Sequence, residues 1–386
     1  MNEDKVVPNI RFMGFKDKWK AVKINYIVNI KAGGDLEKNK LLKDGKYPVI
    51  GNTLKNNGII GYTNTFKIDA PAVTVTGRGE IGKAFYQPIP FTPVVRLLAL
   101  VPKNGNIDMK FLSNEIENLN FFSESTGVPQ LTAPELGTYK VGLTECNEQQ
   151  KIGDFFTKLD KLLDLQQQKI DKLELLKKAF LQKLFPKHDS KVPELRFKGY
   201  DQEWEEKKFS SLYKKCNEKN NLSFGSNKII SVANMYYKKD NVKSDDNYMR
   251  TYNIFRLGDI AFEGHKSKKF TFGRFVENTI GDGIVSHVFE VFRPISNGDI
   301  TYWKYAIHNE DFIAPVLMKS TVKATMMNNL IAKDFLKQRV PVPQLSEQQK
   351  IGNLLSKVDQ LIELENKKLQ NFQQLKKCLL QNMFVK

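Results

Sequence analysis

Glu148-Gln149-Gln150-Lys151-Ile152-Gly153 recurs letter for letter as Glu347-Gln348-Gln349-Lys350-Ile351-Gly352. The register runs on without a gap to Phe185 and Phe384, with about 17 identities in 38 aligned positions. Two copies of such a segment, separated by unrelated sequence, restrict the chain to an architecture built twice on one plan. A shorter repeat opens each half: Val7-Pro8-Asn9-Ile10-Arg11-Phe12-Met13-Gly14-Phe15 with Trp19, and Val192-Pro193-Glu194-Leu195-Arg196-Phe197-Lys198-Gly199-Tyr200 with Trp204. The order is therefore opener, variable block, long repeat, and the same again.

The long repeats read as helices. Asn147 and Ser346 occupy expected N-cap positions with Gln150 and Gln349 three residues on, the arrangement in which side chains satisfy the first free amides. Pro186 ends the first helix. Steps of three and four separate Ile152, Phe156, Leu159, Leu163, Ile170 and Leu173 in one copy, and Ile351, Leu355, Val358, Ile362, Leu369 and Phe372 in the other. That spacing predicts a coiled-coil seam. Gln166 and Glu365 interrupt it near the middle of each segment. In an antiparallel pair they face each other and fix the register; the alternative is that both reach out to solvent. At 1.5 Å per residue each helix is about 57 Å long, enough to separate two domains. The expected segments are 1–146, a first globular domain; 147–186, a helix; 187–345, a second globular domain; and 346–386, a second helix.

The chain of 386 residues, 41% hydrophobic, can bury two or three cores. No signal peptide or membrane span is expected, and Cys146, Cys216 and Cys378 are too far apart for a disulfide framework or a zinc site, which fits a reducing cytoplasm. His188, His265, His287 and His308 lack metal-ligand spacing. The net charge of +17 lies mostly on the two variable blocks and would attract a phosphate backbone whatever its sequence.

Both blocks are dense in β-branched and aromatic residues punctuated by Gly, Asn and Pro, predicting short strands and tight turns; a helix is expected near 301–313. The fold class is α+β: two globular domains with short-stranded sheets, separated by two long helices in an antiparallel coiled coil, related by an internal pseudo-twofold duplication. Gly77-Arg78-Gly79-Glu80-Ile81-Gly82-Lys83-Ala84 approaches a phosphate-binding loop. Ala84 lacks the hydroxyl for magnesium, however, and Pro88 and Pro90 forbid the helix that must follow. The better reading is a glycine-permitted turn between strands that presents Arg78 and Lys83. Glu205-Glu206-Lys207 has nuclease-like spacing but sits on the repeated opener, where an exposed charged stretch is expected. No amino-methylation loop and no glycine-rich cofactor loop is present. His265-Lys266-Ser267-Lys268-Lys269-Phe270 with Arg274, and Lys319 with Lys323, mix cations with aromatics or hydroxyls as phosphate- and base-contacting loops do, although solvated charged loops look the same.

These features resemble the specificity subunits of type I restriction-modification systems over nearly the whole chain. The resemblance rests on the duplicated opener with its Trp, on the run from Val340-Pro341-Val342-Pro343 through Gly352, and on the Leu-Lys-Lys…Leu-Gln…Phe helix ends. The junction Val141-Gly142-Leu143-Thr144-Glu145-Cys146-Asn147 departs from it by lacking the two prolines. Tyr47-Pro48-Val49-Ile50-Gly51-Asn52, the loop at 77–82 and Arg256-Leu257-Gly258-Asp259-Ile260 look like recognition-domain segments. The resemblance implies a non-enzymatic reader of a bipartite, asymmetric target in double-stranded DNA. Two modification subunits, carrying S-adenosylmethionine, would dock on it, and restriction subunits would add ATP- and Mg2+-dependent work; this chain would bind no cofactor. The expected DNA-binding residues are Lys46, Tyr47, Asn52, Arg78, Lys83, His265, Lys266, Lys268, Lys269, Arg274, His287, Lys319 and Lys323. A recognition domain that also cuts DNA, and a coiled-coil interaction protein of incidental basicity, remain as rivals.

Overall fold

The computed structural model describes residues 7–35, 41–121, 127–187, 190–238, 245–265, 267, 270–323 and 327–385. The chain divides into two compact units, Met1–Gln168 with Lys367–Lys386, and Lys169–Asn366. Each unit thus takes one opener, one variable block, the start of one long helix and the end of the other, rather than following the serial segments in order. The long helices are Cys146–Lys183 and Leu345–Met383. Among the described residues no helix is long and apolar enough to cross a membrane.

The first unit is built on a four-stranded antiparallel sheet in the order Val28–Ala32, Leu97–Pro102, Ala72–Thr76, Ala84–Gln87. The second repeats that order with Tyr213–Cys216, Glu290–Pro294, Ile260–Glu263 and Arg274–Glu277. In each unit a two-stranded ribbon joins the residues after the opener to those before a long helix: Lys20–Lys23 with Lys140–Leu143, and Glu205–Lys208 with Arg339–Val342. The duplication therefore extends through the variable blocks, where the sequence shows no repeated run of letters. The helix expected near 301–313 is two helices, Ile300–Ala306 and Glu310–Ser320, with Asn309 between them donating from Nδ2 to Leu181 O at 2.8 Å.

Both sequence repeats have one physical explanation. Arg11 forks onto Glu148, Nε to Oε1 at 2.6 Å and Nη2 to Oε2 at 2.7 Å, and Arg196 forks onto Glu347 at 2.8 and 2.9 Å. Both carboxylates are buried, so each opener is fastened to the helix start by a charge-assisted pair shielded from water. One residue on, Gln149 Oε1 accepts from Asp108 N and Gln348 Oε1 from Asp299 N, both at 3.0 Å. Those aspartates cap short helices through Phe111 N at 2.8 Å and Tyr302 N at 2.7 Å. A Cβ on Gly153 would lie 2.6 Å from Asp108 Oδ1, and one on Gly352 2.9 Å from Asp299 Oδ1, so glycine lets the two helices touch. The capping expectation is corrected: the helices begin at Cys146 and Leu345, placing Asn147 and Ser346 inside the first turn and leaving Gln150 and Gln349 exposed. The third helical residue, which a capping box would turn back onto the cap, is here the glutamate that reaches the opener arginine.

Within each unit the helix segments run antiparallel. In the first, Lys376 Nζ meets Asp160 at 2.8 Å; in the second, Lys177 Nζ meets Asp359 at 2.6 Å, the same pair of repeat positions with the helices exchanged. The polar seam residues fall in different units. Gln166 is half-buried in the first; Glu365 is buried in the second, where Lys169 Nζ donates to its Oε1 at 2.9 Å. Each core is completed by the end of a long helix. Phe384 packs on Phe111 and Phe156, with ring centroids 5.5 and 5.7 Å apart, beside Trp19. Its counterpart Phe185 packs on Tyr302 and Phe312 at 5.6 and 5.4 Å, beside Trp204.

Candidate nucleic-acid interface

The strand pairings align the two units residue by residue. Val75 pairs with Ala84 and with Leu98, and Phe262 pairs with Phe275 and with Glu290. The loop 77–82 is therefore the counterpart of 264–273. Each opens on a glycine with no room for a side chain: Leu131 N donates to Gly77 O at 2.9 Å and Asn328 N to Gly264 O at 2.8 Å. A Cβ on Gly77 would lie 2.5 Å from Arg96 O, and one on Gly264 2.1 Å from Asn328 O. The next residue bridges the same neighbouring strand segment, Arg78 to Gln130 and His265 to Met327, and both side chains are exposed. Arg78 and His265, picked out for unrelated reasons, thus hold one position in two copies of the fold.

Around that position the expected residues sort into groups. Gly79 and Gly82, at φ +76° and +78°, turn the first loop directly into the strand Ala84–Gln87, as a hairpin rather than a phosphate-binding loop. Lys83 is exposed at its foot. Asn52 is a brace: its Oδ1 accepts from Gly77 N at 2.8 Å and Arg78 N at 3.3 Å, and its Nδ2 donates to Arg78 O at 2.8 Å. Lys46 and Tyr47 lie at the far end of the strand Tyr47–Ile50 from that brace, Tyr47 edge-on to Phe66 at 4.8 Å with Lys46 Nζ 5.2 Å from its ring.

In the second unit Lys323 pairs with Asn328 and so comes alongside His265. His287 precedes the strand Glu290–Pro294, which starts beside the end of Ile260–Glu263, so it stands at the same end of the sheet; its Nδ1 is 3.5 Å from Thr251 Oγ1. Arg274 holds the position equivalent to Lys83 but is tied back: Nε donates to Glu263 at 2.6 Å, Nη2 to Ala233 O at 3.1 Å, and the group lies 5.2 Å from the Phe270 ring. A neutralised arginine of this kind shapes the loop and offers little to a phosphate. Arg256 and Arg293 are likewise engaged with Glu218, whose carboxyl they hold below its usual range. Lys319 stands apart, lining a cavity of about 550 Å3 with Lys187, Lys191, Lys337 and Arg339. Lys266, Lys268 and Lys269 lie outside the described residues.

One exposed cation at this edge has no sequence signal. Arg96 follows the apolar Val94-Val95 and reads as the start of a strand, yet it sits at φ +77° with its carbonyl accepting from Gly77 N at 2.9 Å.

A small α+β unit made twice, each copy presenting a glycine-gated loop of exposed polar side chains, belongs among duplicated DNA-specificity domains. The model of the type I restriction modification DNA specificity domain matches residues 16–175 and 201–374, and the chain belongs to that family. Two type I specificity subunits of Mycoplasma pneumoniae are 33% identical over 107 residues and 30% identical over 131 residues. Those alignments cover 28% and 32% of this chain and 29% and 38% of the relatives, so the chain spans well under half the length of either. The MjaVIII specificity subunit of Methanocaldococcus jannaschii is 22% identical over 319 residues, 74% of this chain and 71% of that one. The crystal structure of a type I restriction-modification S subunit from M. genitalium shares the fold across 98% of this chain and 99% of its own, with a TM-score of 0.62 at 16% identity.

Proposed function

We propose that this chain is the non-catalytic specificity subunit of a type I restriction-modification complex and reads a bipartite, asymmetric target in double-stranded DNA, one half with each unit. The observation that carries this reading is the shared loop position occupied by Arg78 in one unit and His265 in the other. One scaffold with different side chains at its reading edge suits two half-sites of different sequence. The long helices would set the gap between the half-sites. S-adenosylmethionine, ATP and Mg2+ would belong to modification and restriction subunits in the cytoplasm.

The long repeats support two copies of one modification partner. The inward seam drifts between copies, Leu159 against Val358, Leu163 against Ile362 and Ile170 against Leu369, while two outward leucines in the middle of each helix do not change. Leu162 and Leu165 are 43% and 53% exposed, and their counterparts Leu361 and Leu364 are 46% and 49% exposed. A solvated helix face has no need of identical leucines; a face that meets the same partner twice does.

The test is to co-express the chain with its modification subunit and map methylated bases across a host genome. The expected result is a two-part motif with a fixed gap, and Arg78→Ala should change the half read by the first unit while leaving the other half intact. A contiguous motif, or changes in both halves, would refute the division of labour. Specific cleavage of DNA by the purified chain with magnesium alone would refute its non-catalytic role.

A further inference from the structure

We infer that Arg96 is a sequence-reading residue of the first unit, and that with Arg78 it forms a two-arginine reader that places guanine in that unit's half-site. The inference rests on the proposed DNA-reading role and names the chemistry of one half of it.

The argument begins with the backbone. Arg96 sits at φ +77°, a region that L-residues with a Cβ occupy only under steric strain. The adjoining loop meets the same demand with glycine, at Gly79 and Gly82. At residue 96 the chain keeps a long cationic side chain where glycine would relieve the strain.

The conformation is also fixed from outside. Arg96 O accepts from Gly77 N, and the absence of a Cβ on Gly77 is what permits that approach. Arg78 follows directly, its backbone clamped by Asn52, so the two arginines leave rigid supports on either side of a single hydrogen bond. Both are exposed, and neither makes an ion pair among the described residues. Arg11, Arg196, Arg256, Arg274 and Arg293 are by contrast each bonded to a carboxylate; Arg250 and Arg339, exposed like these two and without an ion pair among the described residues, belong to the second unit, so in the first unit Arg78 and Arg96 are the arginines held open. In the equivalent place the second unit carries exposed Val288, so the device belongs to one unit alone.

A guanidinium fork matches the O6 and N7 acceptors of guanine in the major groove, and a good bidentate pair discriminates against other bases by about 10- to 100-fold. Two forks on neighbouring rigid supports suit one or two guanines better than a phosphate, which a flexible lysine would serve as well.

The test compares wild type, Arg96→Gly and Arg96→Lys, each as the full chain with its modification subunit. The variants select from a pool of random-sequence duplex DNA and are also scored by methylation mapping. Glycine suits the backbone, so the fold is retained; lysine keeps the charge and loses the fork. The expected result is guanine in the first unit's half-site for wild type, about 10- to 100-fold weaker discrimination at one or two positions of that half in both variants, and an unchanged second half. An unchanged motif in Arg96→Gly would overturn the inference. So would affinity that falls equally for all sequences in Arg96→Gly and returns in Arg96→Lys, the pattern of a phosphate contact. A wild-type complex with no two-part preference would instead overturn the functional reading on which the inference stands.

Discussion

Replacing Arg11 by alanine tests the fastening that unites the two sequence repeats. Glu148 is fully buried, and in the variant its carboxylate keeps only the Trp19 Nε1 donor at 3.2 Å and the Thr144 hydroxyl. Stranding a buried charge in this way costs about 3–5 kcal/mol. The second unit offers an internal comparison. Its Glu347 has no side-chain donor but Arg196 among the described residues, because Pro343 stands where Thr144 stands in the first unit and Trp204 Nε1 makes no hydrogen bond. Arg196→Ala should therefore fall at the upper end of that range and Arg11→Ala at the lower. Urea denaturation gives each loss, and hydrogen exchange of peptides from the two helix starts assigns it to a unit. The double replacement Arg11→Met, Glu148→Leu should recover most of the loss, since an apolar pair of similar volume removes the stranded charge. A cost below about 1 kcal/mol for both arginines, or a larger cost for Arg11→Ala than for Arg196→Ala, would refute the account.

Two further outcomes follow from the cores. Phe384→Ala should destabilise the first unit by about 3–5 kcal/mol and leave the second within error, with Phe185→Ala doing the reverse; hydrogen exchange reads both, and uniform loss across the chain would contradict the assignment. Burial pushes the Glu277 carboxyl from 4.5 up to about 9, so the folded state holds a proton that the unfolded state releases above pH 4.5. Stability of the second unit should therefore fall as pH rises from about 4.5 to about 9. Glu277→Gln should remove that slope and stabilise the unit most at alkaline pH; parallel stability curves for variant and wild type would disprove the protonated acid.

The parts legible in the sequence were those in which the duplication preserved letters. The two helices, their seam and their turning points follow from spacing alone, because a helix face demands a period. The common fold of the variable blocks was hidden, because a strand register requires only that side chains fit: Val75 with Ala84 does the same work as Phe262 with Phe275 and shares no residue with it. The helix starts were misplaced because a capping box and a glutamate reaching for a distant arginine look alike until the arginine is located. At the proposed reading edge, side-chain type points to Arg78 and His265, but composition cannot tell whether an amide or guanidinium is already engaged. In sequence Asn52 and Arg274 therefore look the same as residues that face outward, and Arg96 looks like part of a strand because of its neighbours.

The placement of Phe384 in the first core bears on the order in which the protein is made. Domains ordinarily close as they leave the ribosome, amino end first, at roughly 5–20 residues per second. Here the second unit has Phe185, Trp204 and Ile351 before the last stretch of helix exists, whereas the first must wait for a residue more than 360 positions beyond Trp19. For tens of seconds the earlier-born half carries an aromatic cavity with its plug still unmade, so the later-born half matures first.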